Sequence, residues 1–422
     1  MSIRPTSIAR SFQTRDDGSI AIMFGLFFMA LMLIMGIAID FARTYHTSSR
    51  VSAAIDAAAL AAGRALLDGR FTDDEIRAMA LRYFDENTKG GGDLFGTIGA
   101  VTVQINRATG AVTIDAPVSV PTTITAITGV QKIDVPVSAS VTFDQQDVEV
   151  AVQLDLTGSM CNPCTKINDL KQAAHEFVNI LLPDNGTPNK IRIAFAPFAS
   201  GVNVGGIAGL VTNNRNGTSN CVYDRNATNL DTDAAPGNGT YFKGRLDLPT
   251  AQACPSSRIV PLTDSKSTLH TAVNGFTTST TTAGQVGAQW AWNLISPKWS
   301  GIWPNESRPV AYNDGKTKKY VVLMTDGEFN TFDGRCDNSG CTPYGTRGRQ
   351  SNDHAKALCA NMKAQGITVY TIGFMLNHPV ANETLETCAT SPQHVFRPQN
   401  GGQLGDAFAA IGNQINNLRL TQ

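Results

Sequence analysis

The sequence predicts an α/β fold: a doubly wound, mostly parallel sheet over residues 147–422, preceded by a transmembrane helix, a helical stalk and a small β region. Three observations predict it. Short apolar runs at 148–154, 191–195, 320–324 and 368–372 have the unbroken hydrophobicity of strands buried on both faces. Segments with apolar residues at helical spacing separate them, and such alternation builds a parallel sheet with helices on both sides. Finally, residues 20–39 (IAIMFGLFFMALMLIMGIAI) carry no charge. At ~1.5 Å per residue they span about 30 Å, the thickness of a hydrocarbon core.

Composition narrows the function classes. The chain has 422 residues, enough for two or three domains, with 42% hydrophobic and 16% charged residues, as in a globular protein. A net charge of −1 argues against a nucleic-acid binder, which would normally show a basic face. The six histidines do not fall at metal-ligand spacings. All eight cysteines follow residue 160, an even number that suits disulfides in an oxidising compartment.

Residues 1–19 are expected to be cytoplasmic, with Arg4, Arg10 and Arg15 before the apolar run. A cleaved signal peptide would have a shorter apolar region, roughly 7–15 residues, and a small-residue cleavage site. Here Asp40-Phe41-Ala42-Arg43 follows and a helical pattern continues, so a retained inner-membrane anchor is expected. The cysteines then place the large C-terminal part in the periplasm or at the cell surface. Residues 40–97 read as a helical stalk, rich in alanine from Ala53 to Ala65. Its small side chains suit either close packing on a partner helix, giving a homo-oligomer, or packing on the chain's own β region. A second helix is expected at 73–87, then a flexible break at Lys89-Gly90-Gly91-Gly92. Over 98–146, Val101–Ile105 and Ala111–Asp115 flank a hairpin turn, and a third run from Ile133 to Phe143 completes one small sheet. The boundary is expected at Asp144–Asp147.

Beyond it, helices are expected at 166–181, 286–295, 352–365 and 404–418. Residues 200–263, rich in Asn, Gly and Thr, read as an insertion on the ligand side of the sheet. It could fold over that edge, contact a partner, or be a surface loop held by Cys221 and Cys254.

The first strand runs into Asp155-Leu156-Thr157-Gly158-Ser159. One carboxylate and two hydroxyls stand at alternate positions, so their oxygens can face one point, and Gly158 lets the backbone bend. Oxygen-only ligands favour Mg²⁺, Mn²⁺ or Ca²⁺ over zinc or copper. In open α/β sheets ligands sit beyond the carboxyl ends of the strands, where this loop lies. A second apolar strand, Tyr320–Met324, ends in Thr325-Asp326-Gly327. No general base or activated nucleophile stands in either segment, so a non-enzymatic role is expected.

These segments resemble the metal-ion-dependent adhesion site (MIDAS) of von Willebrand factor type A domains, with Thr157 where that family usually has serine. The resemblance implies a Rossmann-like fold and a site for Mg²⁺ or a related ion, with one position left for an acidic residue of a partner. It implies Asp326 as the second aspartate. The third ligand would be a threonine from a loop before a helix, for which Thr282, within the hydroxyl-rich stretch 277–282, has the matching spacing to Gly287. Gly18, the apolar run, Asp40–Arg43 and the Ala-rich segment resemble the N-terminal part of TadE/TadG-like proteins of tight-adherence (Flp) pilus systems. Pseudopilin members carry a glutamate five residues after the processing glycine; here Met23 stands there. That departure points to an uncleaved, TadG-like membrane member, acting in pilus assembly or attachment.

The rival reading starts from Cys161-Asn162-Pro163-Cys164, placed between a strand and a helix like a thioredoxin-type redox pair. A structural zinc held by Cys161, Cys164, Cys336 and Cys341 is a further alternative, and a metal-free scaffold a third. Local disulfides such as Cys336–Cys341 and Cys359–Cys388 fit the spacing.

Overall fold

The computed structural model describes residues 17–68, 70–89, 94–107, 109–142, 146–184, 190–225 and 230–418. Arg4, Arg10 and Arg15, the glycine break at 90–92 and the expected boundary around 144–145 lie outside them. The chain divides into two compact units, residues 1–143 and 144–422.

In the first unit, α1 (Asp17–Asp68) is one continuous helix. Its first part, from Ile20, is exposed and is long and apolar enough to cross a membrane. The unbroken backbone follows from a run of strong helix formers without an internal proline. α2 (Asp73–Lys89) opens on Thr72, whose Oγ1 accepts from the Glu75 N–H while the Glu75 carboxylate accepts from the Thr72 N–H, a reciprocal capping box.

Strands β1 (Thr97–Ile98), β2 (Thr102–Asn106), β3 (Ala111–Asp115), β4 (Val118–Pro121), β5 (Lys132–Val135) and β6 (Ser138–Thr142) follow. β2 and β3 form the expected hairpin. The single small sheet is corrected to two, ordered β1-β4-β5 and β2-β3-β6. Pro136, which has no N–H to donate to a ladder, interrupts the run from Ile133 to Phe143, and its halves join different sheets.

The structure decides between the two readings of the alanine stripe of α1. Ala54, Ile55, Ala58, Ala59 and Ala62 are buried with Ile76 and Phe84 of α2 and Val112, Ile114, Val118 and Val120 of the sheets. The helix is therefore the spine of its own unit and not a free stalk, and the stripe proposed for self-association is already covered. Small side chains serve here to let sheet and helix approach closely.

The second unit is built on one mixed sheet. Its central strands are β7 (Asp147–Asp155), β8 (Ile191–Phe198), β12 (Thr317–Thr325) and β13 (Thr368–Gly373), all mutually parallel in the order β8-β7-β12-β13. Short β14 (Val395–Phe396) adds a parallel edge beside β13. On the other side β9 (Val202–Asn203), β10 (Cys221–Val222) and β11 (Val260–Thr263) pair antiparallel. β7 and β8 are buried nearly throughout, which accounts for their unbroken apolar sequence.

The helices are α3 (Thr165–Leu181), α4 (Lys266–Asn274), α5 (Gly284–Ile295), α6 (Thr346–Ala364), α7 (Pro379–Cys388) and α8 (Gly401–Leu418). One apolar cluster joins α3, α4 and α8 to the sheet; a second joins α5 and α6 to it. These are the two layers of a doubly wound sheet. α5 is buried along its whole length, including Trp290 and Trp292, which pack the domain. The short strands β9, β10 and β14 and helices α4 and α7 carry too little periodicity to be read beforehand.

A candidate metal site at the carboxyl ends of the strands

β7 and β12 are adjacent and parallel, so the loops that leave them start side by side at one edge. The β7 loop passes Asp155 and enters a tight turn, Gly158–Cys161. The Asp155 carboxylate accepts from the Thr157 N–H (2.8 Å) and from Thr325 Oγ1 of β12 (2.6 Å). Thr157 Oγ1 and Ser159 Oγ are 2.8 Å apart. Ser159 Oγ donates to Asp326 Oδ1 (2.5 Å). The structure thus brings Asp155, Thr157, Ser159 and Asp326, up to 171 residues apart in sequence, into one hydrogen-bonded group.

The third loop closes against the first. Ser279 N donates to Leu156 O (2.7 Å) and Gly158 N to Thr280 O (2.8 Å). A Cβ on Gly158 would stand 3.2 and 3.3 Å from the carbonyl oxygens of Ser279 and Thr280. The glycine eases this close approach of two backbones. A Cβ placed on Gly327 would lie 3.3 Å from Ser159 Oγ and 3.7 Å from Thr282 Oγ1, so the Thr282 hydroxyl lies on the same side of Gly327 as Ser159. The hydroxyls of Thr277, Thr280 and Thr281 turn instead to Ser256, Ala253 O and Gln252.

Lys166, in the first turn of α3, was not singled out from the sequence as part of this site. Its Nζ lies 2.8 Å from Asp326 Oδ2, with the two side chains 11% and 0% exposed. The only hint was its place on the helix that follows Ser159. Of the two buried carboxylates, Asp326 is thus paired with an ammonium group, whereas Asp155 accepts from the Thr157 N–H and Thr325 Oγ1. Burial in a low dielectric, and then the charge of Asp326, push the Asp155 carboxyl well above its ordinary range, against the lowering effect of the Thr157 and Thr325 hydrogen bonds. The group is short of positive charge.

The donor set suits a hard dication. It offers two carboxylates and the hydroxyls of Thr157, Ser159 and Thr282, all oxygen. Among the described residues no group of three or more His, Cys, Asp or Glu gathers that could hold a metal by itself. The eight cysteines pair as Cys161–Cys164, Cys221–Cys254, Cys336–Cys341 and Cys359–Cys388, which leaves no thiolate for a structural zinc.

The segment 200–263 braces this edge. Its end is tied by the Cys221–Cys254 disulfide, and Ala253 O accepts from Ser200 Oγ and Thr280 Oγ1. Asp224 accepts from Gln285 in the first turn of α5 and from the Asp333 N–H, linking α5 to the loop after β12. The segment holds the loops from the side.

Comparison with known proteins agrees with this architecture. The family model of Flp pilus-assembly TadE/G-like proteins matches residues 18–65, and that of the von Willebrand factor type A domain matches residues 256–410. The second match includes Thr282 and Asp326, while Asp155, Thr157 and Ser159 lie outside it. No curated protein matches the sequence.

Among solved structures, the chain is similar to the vWF domain of the type V pili tip protein Mfa5 from Porphyromonas gingivalis. Identity is 14% over 66% of this chain and 97% of that one, with a TM-score of 0.41. It is similar to the pilus adhesin SpaC from Lactobacillus rhamnosus GG, at 10% identity over 78% of this chain and 35% of that one, TM-score 0.41. A third is proximal thread matrix protein 1 from the mussel byssus, in a form with a zinc-occupied MIDAS motif: 13% identity, 65% and 47% coverage, TM-score 0.34. The chain spans about a third of the pilus adhesin and about half of the byssus protein. It joins a TadE/G-like segment at its N-terminus to a von Willebrand factor type A domain.

Proposed function

We propose that this protein is a membrane-anchored adhesion or assembly component of a Flp-type pilus system. Residues 20–39 hold it in the inner membrane, and the type A domain faces the periplasm or the cell surface. Asp155, Thr157, Ser159, Thr282 and Asp326 hold a divalent cation, Mg²⁺ or Mn²⁺ or Ca²⁺. When bound, that ion supplies an electrophilic position that accepts an acidic side chain of a pilus or surface partner. The convergence of the three loops at one sheet edge, with two buried carboxylates and a single lysine that pairs with Asp326, is the observation that carries this reading.

The chain's own residues prepare the site. Thr325 fixes the Asp155 carboxylate, Ser159 fixes that of Asp326, and the 279–280 backbone locks the β7 loop. With only two aspartates, the bound dication keeps little excess negative charge around it and so retains attraction for an incoming carboxylate.

Titration calorimetry of the purified protein with Mg²⁺ or Mn²⁺ tests the site. Asp155→Ala and Asp326→Ala should abolish the heat of binding and surface attachment while the fold persists. If both variants bind as the parent does, and only Cys161→Ser or Cys164→Ser alters function, the thiol-redox reading replaces this one.

A further inference from the structure

The loop between β4 and β5 stands beside the end of the apolar run of α1. It contains a short helical turn, Thr125–Thr128. No charged residue occurs between Asp115 and Lys132. The loop is clamped to α1 by one side chain: the Asp40 carboxylate accepts from the N–H groups of Thr123 (3.0 Å), Ile124 (3.0 Å) and Thr125 (2.9 Å). Arg43 Nη1 adds a bond to Thr123 Oγ1 (2.7 Å). One turn earlier, Ile124 lies against Gly36, where a Cβ would meet the isoleucine side chain at 2.2–2.8 Å. Only glycine admits the loop there.

This fixes the depth of the loop. Gly36 lies inside the uncharged run, ~4.5 Å before its end at Ile39 given the ~1.5 Å rise per residue. A run of this length matches the hydrocarbon thickness, so a membrane that covers it also reaches Ile124. Two large apolar side chains are exposed further out in the loop, Ile127 at 78% and Val130 at 46%, beside the uncharged Thr128 and Gln131. Several of its polar groups pair within the loop. Thr122 N donates to Gln131 O, Thr122 Oγ1 to Val130 O, Thr128 Oγ1 to Thr125 O, Ile127 N to Ile124 O and Gly129 N to Ala126 O. A segment that leaves water needs such internal pairing. On α1, Phe41 and Tyr45 are exposed just beyond the run, where aromatic side chains favour the headgroup level.

We propose that the 122–131 loop is a second membrane contact, seated in the outer leaflet of the bilayer that α1 crosses, with Ile127 and Val130 in the acyl–headgroup boundary. The occupant of this apolar surface is lipid. The clamp at Asp40 then does more than cap a turn: it sets the end of the apolar run of α1 and the loop at a common depth. The proposal rests on residues 20–39 spanning the membrane, which the experiment tests separately.

The full-length protein is reconstituted into vesicles of phosphatidylethanolamine and phosphatidylglycerol. Single variants Ile127→Cys, Gln104→Cys and Met29→Cys are labelled with the fluorophore NBD without reductant, so the native disulfides stay closed. Lipids with a nitroxide near the headgroup or near the chain end serve as quenchers. Label at 29 should be quenched most by the deep nitroxide. Label at 127 should emit at shorter wavelength than label at 104 and be quenched several-fold more by the shallow nitroxide. If 29 is quenched and 127 behaves like 104, the loop contact is refuted while the anchor stands. If 29 is not quenched, anchor and loop contact fall together. Label at 127 that is shielded from aqueous iodide yet untouched by lipid nitroxides would place a protein surface there, such as a second copy, and would overturn the proposal.

Discussion

β7 and β12 each carry buried charge at both ends, and the two ends are balanced in opposite ways. At the amino end Glu149 of β7 meets both Arg192 of β8 and Lys319 of β12, and it also accepts from the Val310 N–H (3.0 Å). Lys319 Nζ donates further to Ile295 O and Arg192 to Glu306 O. One carboxylate stands between two cations whose spare donors find carbonyls. At the carboxyl end stand two carboxylates and one cation: Lys166 pairs with Asp326, while Asp155 accepts from the Thr157 N–H and Thr325 Oγ1. A buried group with an excess of cations whose donors all find acceptors holds strands together, whereas one with an excess of carboxylates is prepared to take positive charge from outside. The difference separates a structural end of the sheet from a binding end.

The largest expected effect lies at the amino end. Glu149→Ala leaves Arg192 and Lys319 buried without their partner and should lower unfolding stability by about 3–5 kcal/mol, measured by urea denaturation. Asp155→Asn should not: without a dication it relieves repulsion with Asp326, so the variant should be as stable as the parent or more so. Equal losses at both ends would break the contrast.

The next effect is stabilisation by metal. At a hundredfold excess of Mg²⁺ or Mn²⁺ over its Kd, stability should rise by about 2.7 kcal/mol and the thermal midpoint with it. This gain should vanish in Asp155→Ala and Asp326→Ala.

Third comes pH. The raised Asp155 carboxyl binds its proton more tightly in the folded than in the unfolded chain. Metal-free stability should therefore fall as pH rises from the ordinary carboxylate range through the raised value, by at most about 1.4 kcal/mol per pH unit. Saturating dication, or Asp155→Asn, should flatten that slope. A slope of the opposite sign would mean that Asp155 is held ionised.

The smallest effect concerns Lys166, which occupies one oxygen of Asp326. Lys166→Gln should bind Mn²⁺ a few-fold more tightly in calorimetry, because the dication no longer competes with an ammonium group. Weaker binding would instead assign Lys166 a supporting role.

Much of the core fold was legible because buried parallel strands and the helices between them have strong, distinct periodicities. β7, β8, β12 and β13 and the helices at 165–181, 284–295 and 401–418 sit where their patterns predict them. The short antiparallel strands of 202–263 are held by a disulfide and by side chains from distant loops, so no local pattern marks them. Pro136 was visible, yet the run around it still read as one strand; that its halves belong to two sheets depends on partners. The alanine stripe fitted an inward or an outward face equally well, and tertiary packing turned it inward.

The sequence by itself determined the apolar run of α1, the order of the long central strands and the helices between them, and the presence of oxygen-bearing side chains at two strand ends, because each is written in neighbouring residues. Only the tertiary structure decided that Lys166 reaches Asp326, that Thr282 stands at Gly327 beside Ser159, and that Asp40 holds a loop 83 residues away. Those are contacts between segments far apart in the chain. Their geometry is set by strand register and loop closure, which no local pattern of side chains encodes.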